Sequence, residues 1–199
     1  MRGLLHPYGP LMTTLGKIGD AVILNLLVLL FSLPVVTMGA AVTAGHYTAL
    51  KMLRNEESIF SDFWKSFCAN LKQATCIWLG FLLLVTALAY IAYMGGVVAI
   101  AAAAVIVFVI LVSLWVFPVL SKFVDSTSHI IRNSMVLSLG YFFRTLGMLL
   151  SYFVLPPLIL ISMNLLPVIL LFGLSVPMLI SAMLYNPVFL QMEEKILEN

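Results

Sequence analysis

The residues able to do chemistry in this chain are few and scattered. Three histidines, His6, His46 and His129, stand in three different stretches. Two cysteines, Cys68 and Cys76, lie eight residues apart, with no CxxC pair and no His/Cys cluster near them. A zinc site needs closely spaced thiolates and imidazoles. The cysteines are therefore expected to be small packing residues, and neither a metal nor another cofactor is expected. Asn25, Ser32, Thr86, Ser113, Ser151, Ser175 and Ser181 interrupt long apolar stretches. None stands beside a base or carboxylate in the way an activated nucleophile does. No GxSxG, HExxH or P-loop pattern occurs. These residue types at these spacings imply a protein that is not an enzyme.

The elements that carry these residues follow from composition. Of 199 residues, 63% are hydrophobic and 9% charged. Soluble domains carry about 25% charged residues, and a soluble chain this apolar would expose patches that aggregate. A soluble globular protein, a disordered chain, a collagen and a disulfide scaffold are excluded. The net charge of +2 offers no basic field for nucleic acid. The start, with Leu4, His6, Pro7 and Pro10, forms no unbroken apolar core, so no signal peptide is expected. The fold class implied is all-α: a polytopic membrane helix bundle, one integral domain over 1–199, with the lipid bilayer as its first partner.

The charges fall in four islands. The first is Arg2, Lys17 and Asp20. The second runs from Lys51 to Lys72, the third from Lys122 to Arg144, and the last from Glu193 to Glu198. Between them lie charge-free runs at 21–50, 73–121 and 145–192. A spanning helix takes about 20 apolar residues, and backbone in hydrocarbon must bond to itself. The first run holds one crossing. The longer two hold two each, broken at Met94-Gly95-Gly96 and at Met163-Asn164-Leu165-Leu166-Pro167. About five transmembrane helices follow, at 21–43, 74–93, 97–120, 146–162 and 168–190. Islands two to four then share a side and hold eight of the ten Lys/Arg. The positive-inside rule makes that side cytoplasmic, leaving the N-terminus outside and the C-terminus inside. Tyr90 and Tyr93 mark the outer edge; Trp78, Trp115 and Tyr185 mark the inner one. An ion-coupled pump is not expected, since no span carries an ionisable group near its middle.

Two cytoplasmic amphipathic segments are expected, at 51–73 and 121–145. In the first, Ile59, Phe60, Phe63, Trp64, Phe67 and Leu71 share an arc of about 140° on a helical wheel. Lys65 and Lys72 lie on the other side, and Ser58 or Ser61 is placed to cap the helix. Such a helix suits the membrane interface or a partner's groove. Phe60, Phe63, Trp64, Lys65, Phe67 and Lys72 are the candidate partner-binding residues. A second candidate set, Asn25, Thr37, His46, Tyr47, Asn70 and Asn133, would form a polar cluster if the inner ends of the spans converge. Pro34, Pro118 and Pro187 each precede Val near an inner end and are expected to kink or hinge their helices. The pairs Ala40/Ala44, Ala41/Gly45 and Ala99/Ala103 allow close helix approach, within one chain or between copies.

The run Asn25-Leu26-Leu27-Val28-Leu29-Leu30-Phe31-Ser32-Leu33-Pro34-Val35-Val36-Thr37-Met38-Gly39-Ala40 resembles the opening of the YesL-like family, bacterial membrane proteins of unknown function. The continuation is similar too: Thr43-Ala44, Tyr47, Leu50-Lys51, Arg54-Asn55-Glu56-Glu57, Asp62-Phe63, Lys65-Ser66-Phe67 and Asn70-Leu71-Lys72-Gln73-Ala74-Thr75. Phe117-Pro118-Val119-Leu120 and Arg132-Asn133 fit its second half, and the likeness loosens after residue 140. Where the family usually reads Ala-Leu-Tyr-Tyr, this chain has Gly45 and His46 in the middle. The resemblance implies several spans in the bacterial plasma membrane. Family members are often encoded beside sugar ABC-importer permeases and two-component sensors. It therefore implies an accessory or regulatory subunit for carbohydrate uptake, partnered by an ABC permease or a membrane sensor kinase. The residues leave two other readings open: a small-solute-binding transporter or importer capture subunit, and a homo-oligomeric structural protein.

Overall fold

A computed structural model describes residues 10–56, 58–161 and 166–198. Among them the regular structure is helical, without a strand: α1 (Pro10–Ser32), α2 (Met38–Arg54), α3 (Ile59–Tyr93), α4 (Gly96–Lys122), α5 (Thr127–Gly140), α6 (Phe142–Ile161), α7 (Leu166–Phe172) and α8 (Ser175–Leu197). Three helices are long and apolar enough to cross a membrane, or five if each of two bent pairs counts as one span. The turn expected at 163–167 falls mostly on 162–165, outside the described residues.

The first expected span, 21–43, is not one helix. Pro34 lacks an N–H and disfavours helix at the residue before it. α1 therefore stops at Ser32, a 3-10 turn follows at Val35–Thr37, and α2 starts at Met38. The Thr37 hydroxyl closes the break by donating to Phe31 O (2.8 Å). Pro34 is thus a break between helices rather than a kink within one. α2 runs back along α1: Lys17 Nζ donates to Asn55 Oδ1 at 2.9 Å. Asn55 adopts the left-handed conformation that ends the helix.

α2 is the hub of the bundle, in contact with α1, α3, α4 and α8. Its small residues permit this. A Cβ at Gly39 would lie 2.5 Å from Trp78 Cβ, and one at Gly45 would lie 2.6 Å from Met178 Sδ. Ala40, Ala41 and Ala44 are wholly buried within the chain. The pairs Ala40/Ala44 and Ala41/Gly45 therefore serve internal packing and offer no face to a second copy.

The expected amphipathic segment and second span are one continuous helix, α3, of 35 residues, about 52 Å long at 1.5 Å per residue. Gly95 and Gly96, with φ of +80° and +75°, turn the chain into α4 as expected. Pro118 lies inside α4 and Pro187 inside α8, and both helices continue through them. Expected segment 121–145 divides into α5 and the start of α6, which meet at 97°. Thr145 pins that corner, donating toward Ser138 O and Tyr141 O while accepting from Trp115 Nε1 at 2.8 Å. Trp115 and Tyr185 are fully buried, so they belong to the core and not to an interfacial belt. Tyr90 and Tyr93 are exposed near the α3–α4 turn. Both cysteines are exposed on α3, against the expectation that they pack; they project from the same side of the helix as residues eight apart do.

Candidate functional site

The charged islands meet at one end of the bundle. Lys51 Nζ binds Asp62 Oδ1 at 2.9 Å, while the other Asp62 oxygen accepts from Ser58 N at 2.9 Å. Asp62 so occupies the first turn of α3, where the helix dipole favours a carboxylate. Ser58 is the N-cap residue, but its side chain makes no capping bond. Lys51 sits 5.4 Å above the Tyr47 ring. The hydrogen bond to Asp62 holds its ammonium above the ordinary lysine value, against the opposing effect of burial. Glu193 draws in Lys122 (2.7 Å) and Arg54 (3.6 Å), joining islands two, three and four. Arg54 also donates through Nε and Nη2 to Asn186 Oδ1. Lys17, through Asn55, belongs to this same end. Lys17 therefore lies at the end that holds islands two to four, where a single span at 21–43 would have put it on the opposite side.

Between α2, α3 and the end of α4 this charged end opens into a cleft of about 400 Å³. Tyr47 comes from α2, and Lys65, Ser66, Ala69, Asn70 and Gln73 come from α3. Ser121, Lys122, Phe123 and Val124 close it from α4 and the turn after it. On α3 the i, i+4 spacing of Lys65/Ala69/Gln73 and of Ser66/Asn70 aligns these residues on one face. Asn70 Nδ2 donates to Ser66 O and Oγ. Gln73 Nε2 donates to Asp125 O and Thr127 Oγ1, tying α3 to the start of α5.

Of the expected polar cluster, Tyr47 and Asn70 come together in this cleft, while Asn133 lines a neighbouring one that shares Phe123 and Val124. The other three have separate structural roles. Asn25, wholly buried, accepts from Leu174 N (2.8 Å) and Ser175 N (3.0 Å) and donates to Leu170 O (2.8 Å). It bridges the break between α7 and α8. Thr37 closes α1. His46 is buried with Nε2 3.1 Å from the Tyr152 hydroxyl, and its carbonyl accepts from the Tyr185 hydroxyl. His129 instead faces Asp125 on the exposed end of α5. Among the described residues no group of three or more His, Cys, Asp or Glu is placed to hold a metal.

The candidate partner-binding face is divided. Phe63 and Phe67 are buried against Phe31 of α1, with ring centroids 5.5 and 4.9 Å from it. The chain's own α1 fills the groove expected of a partner, so these two rings are core. Phe60 and Trp64 stay 63% and 46% exposed, and Lys65 and Lys72 are exposed on the same helix. Sequence reasoning passed over Ser121, Lys122, Gln73 and Phe123 as cleft residues. The polar stripe of α3 was readable as a helical face, but the α4 end that meets it is joined by tertiary packing alone.

A model of a protein family of unknown function, DUF624, matches residues 21–93. That stretch covers most of α1, all of α2 and α3, and the α2 and α3 walls of the cleft. No curated protein and no solved structure matches the chain.

Proposed function

We propose that the chain is a YesL-like protein of the bacterial plasma membrane that acts as a non-enzymatic accessory subunit of a carbohydrate ABC importer or of its sensor kinase. The observation that carries this reading is the exposure of Phe60 and Trp64 beside Lys65 and Lys72 at the charged end. Folding buries Phe63 and Phe67 against the chain's own α1; Phe60 stays exposed, and Trp64 keeps one side exposed while its other side meets Phe31 at 5.6 Å. Exposed aromatic residues are the groups that anchor protein interfaces. The basic end faces the cytoplasm under the positive-inside rule, and the start of α1 lies with it. Among the described residues no mid-bundle constellation of base, nucleophile and carboxylate competes with a binding role.

The test is purification of the tagged protein in mild detergent from cells grown on different carbohydrates. An ABC permease or sensor kinase is expected at a stoichiometric ratio. Phe60→Ala with Trp64→Ala is expected to release it, because truncating an anchor costs about 2 kcal/mol or more of binding. A homogeneous protein with neither partner on any carbohydrate overturns the reading.

A further inference from the structure

The cleft between α2, α3 and the end of α4 has a charge balance of its own, although Lys65 also flanks the proposed partner face. Two ammonium groups line it, from Lys65 and Lys122, and no carboxylate does. Lys122 is neutralised from behind by Glu193 at 2.7 Å. Lys65 makes no ion pair among the described residues and leaves one positive charge uncompensated. Two carboxylates of this end are engaged elsewhere: Asp62 with Lys51 and Ser58 N, and Asp125 with Ser126 N and His129.

The neutral groups also favour an acceptor ligand. Tyr47 lines the cleft and carries a phenolic hydroxyl able to donate. The Ser66 oxygen already accepts from Asn70, so its own proton remains to be donated. Gln73 is fixed by Asp125 O and Thr127 Oγ1, and the Ser121 hydroxyl donates to Pro118 O. Those two hold the walls still. Leu120, Phe123 and Val124 add an apolar side. A free ammonium, hydroxyl donors, fixed walls and about 400 Å³ of space fit an oxyanion carrying a short organic group.

We infer that this cleft binds a phosphate ester, with Lys65 as its principal counter-charge. The ester comes either from an anionic lipid headgroup or from a small soluble phosphate. The inference stands apart from the accessory reading and does not depend on it.

The test uses the full chain in a neutral maltoside detergent, with melting temperature followed against two probes. One is phosphatidylglycerol, with diacylglycerol as its control; the other is sn-glycerol 3-phosphate, with glycerol as its control. A saturable rise with a phosphate probe and none with its control is expected. Lys65→Gln, at an exposed position, is expected to melt with the parent when no probe is present. It is expected to raise the half-saturating concentration at least about tenfold, the loss of one charged hydrogen bond. Arg132→Gln, a cation outside the cleft lining, is expected to leave that concentration unchanged. A response to the lipid alone assigns the site to headgroups; a response to both assigns it to soluble phosphates. No saturable response to either probe overturns the inference. An equal loss in Arg132→Gln also overturns it, because the effect is then one of general surface charge.

Discussion

Asn25 is the residue whose role is most unlike its surroundings. It stands in the apolar middle of α1, yet binds three backbone groups on either side of the α7–α8 break. The first N–H groups of α8 have no partner within their own helix, and no water is at hand in an apolar interior. Asn25→Leu keeps the size and removes all three bonds. Leaving buried backbone groups unpaired costs about 2 kcal/mol. The melting midpoint in detergent is expected to fall by about 4–8 °C for a chain of this length. Thr86→Val is the contrast: its hydroxyl bonds only carbonyls of its own helix and is exposed, so its midpoint is expected to stay within the ordinary range for surface substitutions. The polarity of Asn25 was plain in the sequence, but its purpose was not. A lone asparagine in an apolar run reads equally as ligand contact or as backbone clasp, and the partner lies 149 residues away. His46 has the same ambiguity, resolved by Tyr152 and Tyr185 from two distant helices.

At the scale of elements, the periodicity of 59–74 marked an apolar face correctly and could not say what covers it. Hydrophobic spacing records that a face leaves water, and a neighbouring helix, lipid and a partner all satisfy it. α1 covers Phe63 and Phe67 and one side of Trp64; Phe60 is left out. The hairpin of α3 and α4 was legible because Gly-Gly punctuates an otherwise charge-free run. α2 was not, because it is short, ends in Lys51 and Arg54, and buries small residues that carry little hydropathy. The continuity of α3 leads to a labelling result. Cys68 lies between Lys65 and Lys72, and Cys76 lies two turns further toward the apolar half of the same exposed face. A charged, membrane-impermeant maleimide applied to inverted vesicles is expected to modify Cys68 rapidly and Cys76 slowly, as compared in the two single-cysteine variants. An apolar maleimide is expected to modify both. Equal rates with the charged reagent would place both positions in water and start α3's span further along than residue 76.

For the whole molecule, the distribution of charge sets the orientation. The ion pairs among Arg54, Lys122 and Glu193, and the bond from Lys17 to Asn55, gather islands two to four and Lys17 at one end. At the other end Gly95 turns the α3–α4 hairpin between Tyr93 and Val97, both highly exposed and uncharged. Translocating an end rich in Lys and Arg is strongly disfavoured, so under the proposed reading the paired end is expected on the cytoplasmic side and the Gly95 turn on the opposite side. The reading from composition reached the same side for islands two to four. It differed for the first because a single span at 21–43 forces its two flanks apart, whereas a helix broken at Pro34 and folded back returns them together. Lys17→Cys and Met94→Cys, each placed in a chain with Cys68 and Cys76 replaced by Ala, separate the two arrangements. Both positions are exposed. In intact cells, an impermeant thiol reagent is expected to block Met94→Cys and to spare Lys17→Cys; in inverted vesicles the pattern is expected to reverse. Protection of both positions in inverted vesicles but neither in cells would return α1's start to the outside. Since Lys17 is bonded to the C-cap of α2, that outcome would also require the α1–α2 pairing itself to be undone.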